Sequence, residues 1–432
     1  MISVLKYGEV ENSRIFSRMV PEQDVSSIVR EIINDVSENG DAALFRYEEQ
    51  FDKVRLNSLE VSKEEMLEAR GSIAPGLYEV IKEAAGNIRE FHSHQLNNGF
   101  ILDKPEGIVT GQRVLPIEKV GIYVPGGTAA YPSTVLMNAI PANIAGCSEI
   151  IMVTPPGKDG KISPALLAAA EIAGVSRVFK IGGAQAVAAL AYGTGSVPKV
   201  DKIVGPGNVF VAEAKRQVFG RVAIDMIAGP SEILIVADGT CNPAYVAADL
   251  LSQAEHDRNA SAVLITDSSE LAFNVSDELE KQLSELEREE IARVSIDVNG
   301  KIIITDDIDT AIEIANEIAP EHLELCMDDP FAYLGKVKNA GSVFLGKYCP
   351  EALGDYFCGA NHTLPTGGTA RFSSPLSVED FVKRTQYTYY TREAFSRDAE
   401  KIGIFASAEG LTGHGKSALI RVNKKTESGE TK

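Results

Sequence analysis

Between residues 20 and 95, apolar side chains recur every three or four positions, the period of a helix with one face turned to a core. EQDVSSIVREIINDVSENGDAALFRYEEQF shows the pattern first, broken by a Gly-Asp pair. LEVSKEEMLEARGSIAPGLYEVIKEAAGNIREFHSHQ continues it, with Ser62 as the expected N-cap. From Val120 the rhythm changes. VGIYV, EIIMVTPP, RVFKIGG and KIVGPG are short apolar runs closed by glycine or proline, with helical stretches between them. A second set follows in EILIVAD, SAVLITD, KIIITDD and GSVFLGK. Asn242-Pro243 suits the N-cap and first position of the helix that reaches His256. Strand–loop–helix units at this spacing imply parallel sheets covered on both faces. The expectation is an α/β fold with two doubly wound sheets, an N-terminal helical segment and a C-terminal helical tail. Its expected parts are an arm over 1–20, a main α/β domain from 21–120 with 230–375, a second α/β domain over 121–229 and a tail over 376–432. Within the tail, VEDFVKRTQYTYYTREAF reads as the last helix and the polar KKTESGETK as disordered.

Composition narrows the function classes. The chain has 432 residues, 44% hydrophobic and 24% charged, an ordinary globular balance with ample material for a core. A formal net charge of −19 disfavours nucleic acid and anionic membrane, which both reward clustered Lys and Arg. No apolar run is long enough to span a bilayer. MISVLKYGEVENSRIF lacks the basic-then-apolar order of a secretory leader. The five cysteines are scattered without a CxxC pair, which argues against a disulfide framework or a thiolate zinc site and for a cytoplasmic location.

Candidate chemistry concentrates at element ends. The turns GIYVPGG, IGGAQA and VGPGNVF follow expected strands, where ligands of open α/β sheets bind and glycines let backbone approach a phosphate. None is a G-x-G-x-x-G, so any Rossmann-like dinucleotide site here is atypical. His92 and His94 lie on a helix that turns about 200° over two residues, so they read as surface groups and not as a ligand pair. Gln253 and His256 share a helix face; they are either a solvated helix end or half of a metal site. Glu321-His322 stands where Pro320 ends a helix and a strand begins, a place for two proton-transfer groups or for a surface dyad. Residues 351–373 form a long glycine-rich stretch, read as a loop, holding Asp355 and His362. His414, between glycines, has Glu409 five residues before it. Together Gln253, His256, Asp355 and His414 could make an N/O site for Zn²⁺ or a neighbouring divalent ion.

Taken in order, GIYVPGG, IGGAQAVAALAYGTGSVPKVDKIVGPGNVFV, AGPSEILIVAD, LLSQAEHD, APEHLEL, GDYFCGANHTLPTGGTARF and EGLTGHGKSA closely resemble the histidinol dehydrogenases, to about Arg421. The resemblance implies a zinc-dependent, NAD-linked, four-electron oxidation of L-histidinol through L-histidinaldehyde to L-histidine, the last steps of histidine biosynthesis. It implies that Gln253, His256, Asp355 and His414 hold zinc and that Glu321 and His322 are the acid–base pair. The zinc ligands, His322, Ser231, His362 and Glu409 would contact substrate; Tyr123, Gln185 and Asn208, in 121–229, would contact NAD. It further implies a homodimer whose tail crosses to the partner, so that Glu409 and His414 complete the other subunit's site. The competing readings are a zinc/NAD dehydrogenase of another polar alcohol, such as a sulfonated diol, and a non-catalytic nucleotide-binding protein. A sulfonated substrate would call for a cation where Glu409 stands, and a binding protein would not need both Glu321 and His322.

Overall fold

The computed structural model describes residues 2–18, 24–126 and 130–422. The tail expected to be disordered, the end of the expected arm and Gly127 of the first glycine turn lie outside the described residues. The chain forms two compact units, Met1–Leu96 with Ile117–Phe381, and Asn97–Pro116 with Val382–Lys432.

Fourteen strands are described: β1 (Ser3–Lys6), β2 (Phe100–Lys104), β3 (Ile108–Pro116), β4 (Lys119–Tyr123), β5 (Glu149–Thr154), β6 (Arg177–Lys180) and β7 (Lys202–Val204), then β8 (Ala223–Ile224), β9 (Glu232–Ala237), β10 (Ser261–Thr266), β11 (Lys301–Ile304), β12 (His322–Cys326), β13 (Ser342–Leu345) and β14 (Val382–Tyr390). The first unit holds two all-parallel sheets, as expected. One has the order β1-β11-β10-β9-β12-β13, the other β6-β5-β4-β7-β8. In the five-stranded sheet the chain starts at the central β4, winds outward, then crosses back to the other side; in the six-stranded sheet it enters at the edge strand β1 and then does the same from β9. The switch point lies between β9 and β12 in one sheet and between β4 and β7 in the other.

The apolar runs are continuous because both faces are covered. In β9, Ile233, Ile235 and Ala237 face a core with Val246, Ala247 and Leu250 of the helix Pro243–Ala254. Leu234 and Val236 face the opposite core with Ile312 and Ala315 of the helix Ile308–Ile318. Each fully buried side chain of this kind contributes roughly 1.5–3 kcal/mol. Helix starts follow local chemistry. Ser62 and Glu65 form a reciprocal capping box, and the Asn242 side chain accepts the Ala244 N–H ahead of Pro243.

Two expectations fail here. Residues 382–390 are not helical; they form β14, antiparallel to β3 along its whole length, with β2 on the far side. Thr385, Tyr387, Thr388, Tyr389 and Tyr390 are β-branched or aromatic, and β3 supplies the pairing partner that decides the matter. The helices Arg392–Ala408 and Thr412–Leu419 follow. His92 is not a surface group: it is fully buried, extending the stripe Ile81, Ala84, Ala85, Ile88 of its helix. Its ring contacts Gln95 and Asn361, and burial pushes its pKa down. His94 is exposed.

Candidate active site

Parallel strands return through antiparallel helices, so the last turn of Pro243–Ala254 lies near the amino ends of β9 and β12. Gln253, at that turn, is buried, and its Oε1 has no hydrogen-bond partner. His256, just beyond, is half-buried. Ser231 precedes β9 and is half-buried, its carbonyl accepting the Ser261 N–H. His322 opens β12 and Glu321 immediately precedes it, as the helix break at Pro320 predicts, and both are buried.

One residue orients both. The Glu232 N–H donates to Glu321 Oε2 at 2.9 Å, and His322 Nδ1 lies 2.9 Å from the Glu232 carbonyl oxygen. A carbonyl only accepts, so Nδ1 carries the proton and Nε2 keeps its lone pair. Burial lowers the His322 pKa to about 4, so the ring is neutral near pH 7. Burial also pushes Glu321 well above the ordinary carboxylate range, helped by the charges of Glu232, Asp355 and Glu351.

The stretch read as a loop from 351 begins as a short helix, Glu351–Tyr356. Glu351 and Asp355, four residues apart, therefore share a face. Their carboxylates and a His322 ring nitrogen lie within 4.8 Å of one another, a grouping able to hold a metal ion. Glu351 Oε1 stands 3.7 Å from His322 Nε2 and lacks a hydrogen-bond donor. Burial pushes the Glu351 carboxyl up to about 8, with the Asp355 charge next. Burial opposes ionisation of Asp355 too, but the His362 hydrogen bond and charge, then His322 and His256, bring it down to about 2. His362 Nδ1 is 3.3 Å from Asp355 Oδ1. The first unit thus gathers Ser231, Gln253, His256, Glu321, His322, Asp355 and His362 around the amino ends of β9 and β12.

Glu351 was not foreseen, although its spacing to Asp355 was visible. Behind it, Glu324 accepts the Glu351 N–H at 2.7 Å, and burial raises both Glu324 and Asp249. The unpartnered buried oxygens, Glu351 Oε1 and Gln253 Oε1, suit a cation. Of the expected zinc ligands, Asp355 lies in the converging group with His322 and Glu351, and Gln253 offers a buried Oε1 without a partner among the described residues; N and O donors of this kind are those that Zn²⁺ accepts.

Glu409 and His414 belong to the second unit. They line a cavity of about 740 Å³ with Tyr390, Phe395, Lys401 and Phe405.

The residues expected to meet a dinucleotide sit at the carboxyl ends of the five-stranded sheet. The Tyr123 hydroxyl, at the end of β4, accepts the Gly183 N–H at 3.1 Å. Gln185 lies in the first turn of the helix Gly183–Tyr192, buried. Asn208 follows β7 and caps the helix Val209–Val218, accepting the N–H groups of Phe210 and Val211. Gly205, at φ +111°, opens this turn; a Cβ there would stand 2.1 Å from the Tyr123 carbonyl oxygen.

Comparison with known proteins agrees in one direction. Residues 17–422 match the family model described as histidinol dehydrogenase. The chain is 51% identical to a histidinol dehydrogenase of Clostridium acetobutylicum, covering 98% of this chain and 99% of the relative. It is 54% identical to one of Lactiplantibacillus plantarum, covering 94% of each. The crystal structure of histidinol dehydrogenase from Elizabethkingia anophelis superposes with a TM-score of 0.93 at 39% identity, covering 98% of both chains.

Proposed function

The chain belongs to the histidinol dehydrogenase family, an oxidoreductase of histidine biosynthesis acting on a small molecule, and from that premise we propose that Glu321 and His322 carry the proton transfers of a four-electron oxidation of L-histidinol. The observation that carries the reading is the Glu232 backbone, which holds the pair in complementary states. Neutral His322, with Nε2 free, takes the proton of the alcohol as the carbinol C–H bond breaks. NAD⁺ supplies the acceptor for that hydride. In the second half-reaction Glu321 takes a proton from the water that adds to the aldehyde carbon. Its raised pKa makes it, once ionised, a stronger base than an ordinary carboxylate. His322 then takes the hydrate's hydroxyl proton as the second hydride leaves. The balance is one alcohol, one water and two NAD⁺ giving one carboxylate, two NADH and three protons.

Zinc, held by Gln253, His256, Asp355 and His414, would position the substrate's imidazole and amine, a proximity effect. Glu409 would accept a substrate N–H, His362 and Ser231 would line the substrate, and Tyr123, Gln185 and Asn208 would meet the coenzyme. Glu409 and His414 would come from the partner of a homodimer. The large apolar side chains left exposed on the second unit, including Phe100, Ile101 and Leu102 of β2 and Ile404 and Phe405, support that reading, since exposed apolar surface marks interaction sites. A cytoplasmic location accords with five free cysteines, and no helix among the described residues is long and apolar enough to cross a membrane.

The deciding experiment counts NADH formed per mole of limiting L-histidinol, before and after chelation. Two NADH, lost on chelation and restored by Zn²⁺, is the expected result. One NADH removes the role given to Glu321; none from folded, metal-replete protein removes histidinol as the substrate.

A further inference from the structure

The helix beginning at Asp41 ends in a single π-turn, Glu48–Asp52, and a π-turn inside a helix is frequently a functional feature. It brings a wholly buried carboxyl, Glu48, to the carboxyl ends of the five-stranded sheet. Glu48 Oε1 accepts the Gln185 Nε2–H at 3.1 Å and the Gly182 N–H at 3.4 Å. Glu48 Oε2 and Gln185 Oε1 are both buried without hydrogen-bond donors. Asp52, half-buried, closes the same turn four residues on, and its charge acts on Glu48. A like charge near a buried carboxyl disfavours its ionisation.

We propose that Glu48 is a positioning residue of the dinucleotide site: it fixes the Gln185 side chain and the Gly182 amide at the head of the helix Gly183–Tyr192. This rests on the reading that Gln185 meets the coenzyme. Geometry supports it. Among the described residues Glu48 is the side chain that hydrogen-bonds the Gln185 amide, and the same turn places the Gly183 N–H on Tyr123. Burial, with the Asp52 charge adding to it, pushes the Glu48 carboxyl up to about 8, so Glu48 is largely protonated near pH 7 and ionises above pH 8. The Tyr123 phenol, raised to about 12 by burial, feels the same two carboxyls and stays neutral throughout. Ionisation of Glu48 above pH 8 sets two negative charges against each other beneath the coenzyme turn.

The test uses the full-length, metal-replete enzyme and NAD⁺ itself. Equilibrium binding of NAD⁺, KM for NAD⁺ and KM for histidinol are compared from pH 6.5 to 9.5 (roughly the span that brackets the shifted carboxyl). For Glu48→Ala, which loses two hydrogen bonds, NAD⁺ affinity falls about tenfold or more while the histidinol KM and zinc content hold. Glu48→Gln keeps an acceptor for Gln185 and Gly182. It binds NAD⁺ like the parent near pH 7 but loses the weakening seen in the parent above pH 8. If Glu48→Ala does not fold, Asp52→Asn gives the answer, because it removes the repulsion without truncation and flattens the same limb. Unchanged NAD⁺ affinity in Glu48→Ala, or equal losses for NAD⁺ and histidinol, overturns the positioning role alone. A parent enzyme that binds no NAD⁺, or one whose affinity is untouched by Gln185→Ala, overturns the coenzyme reading beneath it.

Discussion

Lys215 and Asp225 form an ion pair in the first unit with side chains only 2% and 1% exposed. Both also serve Gly205: Lys215 Nζ donates to its carbonyl at 2.9 Å, and Asp225 Oδ2 accepts its N–H at 2.7 Å. The pair therefore clamps the turn that ends at Asn208. Lys215→Met keeps the volume of the stem but leaves a carboxylate buried without its cation, at a cost of about 3–5 kcal/mol. The Gly205 carbonyl also loses a donor, adding about 1 kcal/mol. Asp225→Leu has the mirror effect, orphaning the ammonium. Carried together, the two changes leave no buried charge, only the unpaired N–H and C=O of Gly205. The double variant should therefore lie about 2 kcal/mol below the parent, far from the sum of about 8–12 kcal/mol that independent sites would give. Urea unfolding followed by circular dichroism, analysed at constant slope, measures all four corners of the cycle. A Lys215→Met protein within about 1 kcal/mol of the parent, or a double variant as weak as the sum, would refute the reasoning. The first outcome would mean that water reaches Asp225; the second, that the loss is one of packing and not of charge.

His322→Ala should lower kcat by about 10²–10⁴-fold with bound zinc unchanged, measured by NADH formation and metal analysis. Single-turnover traces of Glu321→Gln should stop near one NADH per histidinol, because an amide keeps the Glu232 N–H but cannot take a proton from water. Gln253→Ala should weaken zinc binding at least as much as the roughly 10–100-fold that losing an outer partner costs, read by competition with a chelator. Ile101→Lys, on the open face of β2, should shift the sedimentation coefficient toward the monomer and, if Glu409 and His414 come from the partner, lower activity with it.

Strands buried on both faces were legible because their apolar runs are unbroken: in β9, Ile233-Leu234-Ile235-Val236 serves two cores at once. β14 was not, since its tyrosines and threonines are largely exposed, and only pairing with β3 selects strand over helix. His92 was misjudged through its neighbour. The geometry that separates His92 from His94 is right, but Ile88 stands four residues before His92 on the buried face and assigns the imidazole to the core. Asp355 and His362 were found by residue type, whereas Glu351 was overlooked because 351–356 read as loop, which hides an i, i+4 relation that appears only on a helix. Gln253 and His256 stood out early for the opposite reason: their helix has a clear cap at Asn242 and a clear end, so their shared face could be counted.

The two halves of the chemistry occupy opposite kinds of sheet edge. Expected coenzyme contacts stand at carboxyl ends, where glycine turns and helix N-termini suit phosphates. The acid–base pair stands at amino ends, where the orienting groups are main-chain atoms of Glu232. This difference matters for robustness. A backbone N–H and C=O survive every substitution at 232 except proline, so the tautomer of His322 does not depend on the side chain there. The Glu232 side chain does something else: it pairs with Arg18 at 3.0 Å, and Arg18 also hydrogen-bonds the Ile318 carbonyl just before the turn into Glu321. Glu232→Gln should therefore keep the first-half chemistry and lose stability, whereas Glu232→Pro should remove the N–H that Glu321 accepts while leaving the carbonyl for His322. Comparing the two by NADH stoichiometry separates the dyad's members without touching either. Loss of the second NADH in the proline variant alone would place Glu321 in the aldehyde step, and equal loss in both would place the effect in the ion pair.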